Sequence, residues 1–508
     1  MLLANDNGAY SVNAAAKLDA VPQAPTSGGD AREWNPAEYI QRTVSAVIQA
    51  KHIAHQQGLH ICGICATGTT SSIAPMRQLN LQQQPPPIRW DDRRAQAEAA
   101  CVEELRKNTH TAPWMTVTAD SALARALYLS SRFEKELADD IRMIEQLSLF
   151  ALFWTGIEAI PETIACRKWG FTRNRPWPKE FRDGLIRLYP PSSSPYGAPS
   201  SSFPGRFLPT KIVGAGEVVG TILPELASLY RLPWTVRIVS APFDTLCQVI
   251  GLGLLHQQRA AGVSLGTSMG VCALAPSDKS TYYPPYGPLP SVPTPDHGLL
   301  FDGLAACGSA ERLICEMLGA MKGKEPDYEF IEKSITETKP GSNRVSIVPY
   351  FGGGRRAVKC GDPIIQGYQP GRKHDLIRAL YESLAYHIRI FIEEFEKVLG
   401  FRLDPILVGG GPVRNKGFMQ MLADITGRNV VVSSFPDSGL IGCGICGAVG
   451  LKWAETFAAA SASITRLEPA ISPNPQFAKQ YSDLYLKYCD QFRDVIGIKS
   501  IREQENGA

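Results

Sequence analysis

The sequence predicts an α/β protein built from two or three domains. Its 508 residues, 44% of them hydrophobic, exceed what a single hydrophobic core organises. Short apolar segments that end at Gly or Pro alternate with segments in which apolar residues recur at helical spacing. This alternation of strand and helix signals predicts the α/β class.

Three segments of the N-terminal half carry these signals. The stretch "AYSVNAAAKLDAV" follows "NDNG", where Asn and Gly tolerate positive φ, and is a candidate strand. Asn35 and Pro36 form an N-cap and first-turn pair before a helix whose apolar residues recur at helical spacing over 39–48. "LHICGICA" is a short apolar run typical of a buried strand.

The second half carries clearer signals. "RIVSAPFDTLCQVIGLGLL" predicts a strand that turns into a helix, and "AAGVSLGTSMGVCALAP" predicts two strands around a turn at 266–268. A long helix is predicted over "DLIRALYESLAYHIRIFIEEFEKVLG", with its end at Gly400. "DPILVGGGPVRNKGFMQMLADITGRNVVVS" predicts a strand at 406–408, a glycine turn, a helix that stops at Gly427 and another strand.

Two Pro-rich stretches interrupt this pattern. They read "RLYPPSSSPYGAPSSSFPGRFLP" at 187–209 and "YYPPYGPLPSVPTPDHG" at 282–298. Regular patterns resume after each stretch, so we interpret both as irregular insertions within domains.

The balance of charges excludes several classes of function. The 52 basic and 49 acidic residues leave a formal charge of +3, which provides no drive toward nucleic acid or acidic lipid. The start "MLLANDNGAYSV" does not resemble a signal peptide, and the longest apolar runs are too short to span a membrane. We therefore expect a cytoplasmic protein with no nucleic-acid or membrane partner.

The sequence Cys-Gly-Ile-Cys occurs at both 62–65 and 443–446. A zinc site built from both pairs is disfavoured, because zinc ribbons separate such pairs by about 12–20 residues and most of this chain lies between them. On a strand Cys62 and Cys65 would face opposite sides, whereas Cys443 and Cys446 would share one face of a helix. We predict that these reduced cysteines fill space in two well-packed segments.

Three segments carry residues suited to nucleotide or substrate chemistry, and each has a structural alternative. Glycines 409–411 would let the backbone approach a nucleotide, or would form a tight turn between strand and helix. Gly266, Thr267 and Ser268 would offer amides and hydroxyls to a phosphate, or form a hairpin turn. Asp244, where a strand meets a helix, suits either a general base or an N-cap.

The order of these segments resembles the FGGY family of carbohydrate kinases, which includes xylulose, ribulose and glycerol kinases. "GICATGTTSSIAPM" resembles the family's substrate strand and loop, and "IRWDDRRA" is similar to its W-x-D-x-R segment. "VVGTILPELASLYRLP" resembles its Thr-Pro-Glu stretch, and "DLIRALYESLAYHIR" resembles its D-L-x-R-A-x-x-E helix. The resemblance is collinear over most of the chain.

This resemblance implies two actin-like, ribonuclease-H-like domains with an interdomain active-site cleft. An N-terminal sugar-binding domain would cover 1–240, a C-terminal ATP-binding domain 241–485 and a tail 486–508. The implied activity is transfer of the γ-phosphoryl group of ATP, with Mg²⁺, to a hydroxyl of a small sugar or polyol, with a pentulose such as xylulose or ribulose as the best match. A homodimer is compatible with the resemblance.

The resemblance also assigns residues by position. Asp244 would accept the proton of the sugar hydroxyl, and Thr70, Ser71 and Asp92 would join it on the sugar side. The residues implied to line the ATP site are Gly266, Thr267, Gly410, Gly411 and Asn415. No residue is assigned as a direct metal ligand.

The chain departs from the family pattern in two places. Family members open with a strand and a D-x-G-T phosphate loop, whereas "MLLANDNG" resembles only the end of the strand that follows. A truncated chain and a degenerate kinase that still binds sugar or nucleotide both remain open. Thr70 and Ser71 stand where xylulose kinases carry Met-His, so the pattern does not identify the sugar.

Overall fold

The computed structural model describes residues 2–6, 9–14, 32–76, 86–132, 142–188, 211–276, 297–351, 362–435 and 437–496. The two Pro-rich stretches fall almost wholly outside these ranges, as does the end of the chain from 497. No helix within these ranges is long and apolar enough to cross a membrane.

The described residues form short strands, which we number in chain order. They are β1 Leu2–Asp6, β2 Ala9–Ala14, β3 Gly63–Ala66, β4 Ile73–Met76, β5 Arg142–Glu145, β6 Ala159–Pro161, β7 Lys211–Val213, β8 Val218–Thr221, β9 Arg237–Ser240, β10 Ala261–Leu265, β11 Met269–Pro276, β12 His297–Leu304, β13 Met321–Lys322, β14 Glu325–Pro326, β15 Ser346–Val348, β16 Ile364–Gln366, β17 Ile406–Gly410 and β18 Val430–Val432.

The helices are numbered in the same way. They are α1 Pro36–Gln56, α2 Gln96–Asn108, α3 Ala122–Arg132, α4 Gln146–Thr155, α5 Glu162–Ile164, α6 Lys179–Leu188, α7 Pro224–Tyr230, α8 Asp244–Gly251, α9 Gly308–Leu318, α10 Tyr328–Glu337, α11 Lys373–Leu399, α12 Lys416–Thr426, α13 Ser438–Gly450, α14 Phe457–Ile464, α15 Pro475–Gln491 and α16 Arg493–Ile496. A π-helical turn covers Ala165–Trp169, and short 3₁₀ turns cover Ser342–Arg344 and Gly411–Arg414.

The chain forms two compact units. Unit 1 comprises Met1–Cys247, Leu289–Pro295 and Gly439–Ile464, and unit 2 comprises Gln248–Pro288, Asp296–Ser438 and Thr465–Ala508. The boundary between units thus falls inside α8, three residues after Asp244.

Unit 2 is built on a five-stranded sheet in the order β12-β11-β10-β17-β18. Strands β10 and β11 form the predicted antiparallel hairpin, β12 pairs antiparallel with β11, and β17 and β18 run parallel to β10. This mixed arrangement is the ribonuclease-H-like sheet that the resemblance implies. Its carboxyl edge at β10 and β17 brings Leu265 beside Gly410.

Helix α11 lies in the core of unit 2, where most of its residues from 375 to 392 are buried. Its polar motif residues are part of this architecture. Arg378 Nε donates to Glu382 Oε1 (3.0 Å), while Glu382 accepts from the Gly341 amide and from the Ser342 hydroxyl (2.9 Å each). Arg378 Nη2 also donates to Tyr481 Oη at 2.6 Å. The D-L-x-R-A-x-x-E pattern therefore stabilises the packing of unit 2, because each buried charge has a partner.

Unit 1 contains a sheet in the order β3-β9-β8, in which β3 and β9 are parallel and β8 is antiparallel to β9. Two-stranded pairs β1-β2, β4-β5 and β6-β7 accompany it. The predicted start of α1 is confirmed, since Asn35 Oδ1 accepts from the amides of Ala37 (2.9 Å) and Glu38 (3.2 Å). The parallel pair places the ends of β3 and β9, at Ala66 and Ser240, side by side.

Candidate active site

The segment that follows β3, residues 67–72, is called the sugar loop here. It is fixed to the segment that follows β9 by two hydrogen bonds. Thr67 Oγ1 donates to Pro242 O (2.8 Å), and the Asp244 amide donates to Gly68 O (2.9 Å). Both segments leave the carboxyl ends of neighbouring parallel strands, which is where α/β proteins commonly bind substrates.

Asp244 is the first residue of α8 and is half-buried. Its Oδ1 accepts from the Thr245 amide (2.6 Å) and from the Thr245 hydroxyl (3.2 Å). These bonds hold the carboxylate at the helix start, where a negative charge is favoured. The prediction that Asp244 lies at a strand–helix junction is confirmed, and its catalytic role stays a prediction.

The two predicted polar residues of the sugar loop differ in exposure. Thr70 is half-buried, whereas Ser71 is fully buried and adopts a left-handed backbone with φ of 61°. The Oγ of Ser71 has no hydrogen-bond partner among the described residues. Of the two, therefore, only Thr70 presents a partly accessible hydroxyl.

Asp92 is also buried, with 1% of its surface exposed. Its carboxylate accepts from Arg94 Nε (3.0 Å) and from the amides of Arg94 (3.0 Å) and Arg32 (2.6 Å). Protein donors thus already surround the carboxylate in this state. The structure thus shows that Asp92 fixes the W-x-D-x-R turn through hydrogen bonds. Contact of Asp92 with a sugar remains a prediction.

Two buried charges near the sugar loop were not predicted from the sequence. Arg125 on α3 donates to the carbonyl oxygens of Ser71, Trp90 and Asp92. Glu145, at the end of β5, accepts from Trp169 Nε1 at 3.0 Å, and burial raises its pKa to about 7. The sequence does show one sign of Arg125, because it is the single charged residue of the mostly apolar segment "SALARALYLSS". A charged residue in such a segment usually lies on an exposed face, however, so burial was not predicted.

In unit 2, the turn 266–268 joins β10 to β11. Its carbonyl groups are held by the start of α9, because Gly266 O accepts from the Gly308 amide (3.0 Å) and Thr267 O accepts from the Cys307 amide (2.8 Å). Gly266 and Thr267 themselves are exposed. The predicted hairpin turn is confirmed, and it leaves Thr267 accessible.

The glycines at 409–411 serve two distinct purposes. Gly410 has φ of 111°, and a Cβ atom there would lie 1.8 Å from Leu265 O, so the approach of β17 to β10 requires glycine. A Cβ atom on Gly411 would meet none of the described residues within 4 Å. We call the exposed turn 266–268 together with Gly410 and Gly411 the nucleotide edge.

Asn415 lies directly before α12. Its Oδ1 accepts from the Phe418 amide at 2.7 Å, so it is the N-cap of that helix. The helix ends at Gly427 with a left-handed backbone, as predicted. Contact of Asn415 with adenosine is untested by this placement.

The structure brings the two Cys-Gly-Ile-Cys stretches close together. Cys65 on β3 lies near Cys443 on α13, whose Sγ lies 4.0 Å from the Sγ of Cys247 on α8. Cys446 also contacts Cys247, while Cys62 lies outside β3 and is exposed. Burial raises the pKa of Cys247 well above its usual value, so its thiol is protonated and a poor nucleophile.

Comparison with known proteins shows which family this chain resembles. Residues 261–451 match the model of the C-terminal domain of the FGGY family of carbohydrate kinases. This segment, less than half of the chain, is similar to that domain. The match covers the nucleotide edge, α11 and α12 of unit 2, and α13.

Proteins similar to this chain include a xylulose kinase and a ribulokinase. The xylulose kinase of Staphylococcus epidermidis is 24% identical over 282 residues, which are 54% of this chain and 55% of that protein. The ribulokinase of Anoxybacillus flavithermus is 24% identical over 294 residues, 54% of this chain and 51% of that protein. The chain thus spans about half the length of the curated relatives it matches.

The likeness in fold to a solved structure extends over nearly the whole chain. The crystal structure of ligand-bound xylulose kinase from Lactobacillus acidophilus superposes with a TM-score of 0.75 at 16% identity, covering 93% of this chain and 91% of that one. The predicted actin-like α/β fold is confirmed.

Proposed function

We propose that this chain is an ATP-dependent carbohydrate kinase that phosphorylates a hydroxyl of a small sugar or polyol, with xylulose and ribulose as the first candidates. Unit 1 would bind the sugar and unit 2 the nucleotide. The observation that carries the proposal is the hydrogen bond from the Asp244 amide to Gly68 O, which joins the candidate base to the sugar loop at one edge of parallel strands. The names of the relatives support the substrate class.

In this proposal Asp244 acts as the general base. Its carboxylate is oriented by Thr245 and is half-buried, so it is both positioned and reachable. As the sugar oxygen bonds to phosphorus, the hydroxyl proton passes to Asp244 and ADP departs with the electrons of the broken bond. A positioned base contributes about 10²- to 10⁴-fold to such a step.

The nucleotide edge suits ATP, because Gly411 and Thr267 are exposed and no described residue lies within 4 Å of a Cβ atom placed on Gly411. Within the described ranges no group of three or more His, Cys, Asp or Glu side chains is arranged to hold a metal ion. In this proposal Mg²⁺ arrives on the nucleotide, since Mg²⁺ is usually bound by phosphates, waters and one or two carboxylates. When bound, ATP supplies the phosphoryl group and Mg²⁺ neutralises its charge.

The test is a coupled assay of ADP release with the full chain across ketopentoses, ketohexoses and polyols. With an accepted sugar, Asp244→Asn should lower kcat by about 10²- to 10⁴-fold and leave the melting temperature nearly unchanged, since Asn can still accept from the Thr245 amide. Glu225→Gln is the matched control. It removes an exposed carboxylate from the first turn of α7 and should leave kcat unchanged.

Two outcomes would contradict the proposal. One is full activity of Asp244→Asn, which would assign the base elsewhere. The other is the lack of ADP release with every sugar while calorimetry detects sugar binding, which would favour a sugar-binding protein without catalysis.

A further inference from the structure

Ser71 occupies an unusual position in the sugar loop. Its φ of 61° places a non-glycine residue in the left-handed region, which L-residues avoid because Cβ crowds the backbone. Its side chain is fully buried and has no partner among the described residues. Neither local preference nor a side-chain hydrogen bond explains this conformation, so neighbouring groups must impose it.

The Ser71 carbonyl is held by Arg125. Arg125 Nη1 donates to Ser71 O at 2.6 Å, and Nη2 donates to Trp90 O (2.7 Å) and Asp92 O (2.6 Å). The Arg125 side chain is completely buried. A single guanidinium thereby ties the sugar loop to the W-x-D-x-R turn, using the rigid fork of donors that lysine lacks.

The amide side of Ser71 faces Glu145, because the Ser71 backbone N–H favours the charged form of that carboxyl. Trp169 Nε1 donates to the same carboxyl at 3.0 Å, which fixes its position. The neighbouring residue continues this attachment, since the Gln146 amide donates to Ser72 O (3.0 Å) and Gln146 Oε1 accepts from Thr69 (3.2 Å). Arg125 thus binds the carbonyl side of Ser71, while Glu145 and Gln146 border its amide side and the residue that follows.

We propose that Arg125 and Glu145 are positioning residues that hold Ser71 in its left-handed conformation and thereby set the shape of the sugar loop. They do not touch the sugar themselves. We call Arg125 and Glu145, together with the Ser71 backbone between them, the clamp. The shape of the accessible part of the loop, which includes Thr70, depends on this clamp. So does the link from the loop through Gly68 to Asp244. The inference rests on the proposed function, because it assigns the loop to sugar binding.

The main test replaces Arg125 with Lys in the full chain. Arg125→Lys keeps the charge but cannot reach three carbonyl groups in the same geometry, so the KM for the accepted sugar should rise at least tenfold. The KM for ATP should stay within twofold, because the nucleotide edge belongs to the other unit. Hydrogen–deuterium exchange of peptides covering 67–72 and 89–94 should accelerate in the variant, and this measurement needs no substrate.

The matched control is Arg106→Lys. Arg106 is another buried arginine of unit 1 that donates to main-chain carbonyls, those of Thr111 (3.3 Å) and Ala112 (3.4 Å), outside the sugar loop. Arg106→Lys should lower the melting temperature but change neither KM nor exchange at 67–72. If both variants behave alike in KM and exchange, Arg125 is a general structural residue and the clamp is refuted.

A second variant keeps the test decisive if Arg125→Lys folds poorly. Glycine adopts the left-handed region freely, so Ser71→Gly should reduce the loss of melting temperature that Arg125→Lys causes. If Arg125→Lys lowers the melting temperature equally whether residue 71 is Ser or Gly, the clamp is refuted. A wild-type chain that phosphorylates no sugar would refute the proposed function alone, since the exchange and melting measurements still decide the clamp.

Discussion

The sugar loop of unit 1 and the nucleotide edge of unit 2 occupy the same kind of place in the fold and are built in opposite ways. Both follow the carboxyl ends of adjacent parallel strands, β3 with β9 and β10 with β17. Around the sugar loop, the predicted residues Ser71 and Asp92 are buried, and Arg125 and Arg94 bind them. At the nucleotide edge, Thr267 and Gly411 are exposed.

This difference shows how a polar motif and a glycine motif act at similar edges. The polar residues of unit 1 mainly determine the shape of a loop, because burial without partners would be costly and their partners come from other elements. The glycines of unit 2 allow close approach, either of another strand at Gly410 or of a ligand at Gly411. Three substitutions test this contrast.

The largest effect is expected for Gly410→Ala. The added methyl would lie 1.8 Å from Leu265 O, at a φ of 111° that only glycine adopts readily. We expect a loss of more than about 4 kcal/mol in the free energy of unfolding, or no folded protein. Urea denaturation measures this, and a stable Gly410→Ala variant would refute the requirement for close approach.

An intermediate, pH-dependent effect is expected for Glu145→Gln. Burial raises the folded pKa of Glu145 from 4.5 to about 7, so the folded state retains a proton that the unfolded state releases across this window. The Glu145 carboxyl therefore lowers the free energy of unfolding more and more as pH rises from about 5 to 7. Above about pH 7 this loss stays constant. Gln, which never ionises, avoids that cost.

Glu145→Gln should accordingly stabilise the protein by about 2–3 kcal/mol at pH 8 and change little at pH 5. Arg125 and Lys168 face the carboxyl and favour its charged form, and they are unchanged in the variant. Thermal unfolding at the two pH values measures the difference. An equal effect at both would mean that Glu145 ionises normally in the folded state.

The smallest effect on stability is expected for Gly411→Ala, the matched partner of Gly410→Ala. A Cβ atom at 411 meets none of the described residues within 4 Å, so the free energy of unfolding should change by less than about 0.5 kcal/mol. The KM for ATP should nonetheless rise about tenfold, equivalent to about 1.4 kcal/mol, while the sugar KM stays constant. An unchanged KM for ATP would place the nucleotide away from Gly411.

The sequence by itself determined the features that depend on neighbours along the chain. The N-cap Asn35, the helix ends at Gly400 and Gly427, and the hairpin around 266–268 all involve contacts within a few residues. Local hydrogen bonds and allowed φ values decide such features, so their signals are visible in a short window. The order of these segments was enough to predict the fold.

The tertiary structure alone decided which predicted residues are accessible and which are anchors. Arg125 reaches carbonyl groups 33, 35 and 54 residues away along the chain, and Cys247 meets Cys443 across 196 residues. Burial of Ser71 and Asp92 likewise depends on elements far away in sequence. Such contacts arise only when distant strands and helices pack, because nothing in the local pattern of residues distinguishes a buried, paired charge from an exposed one.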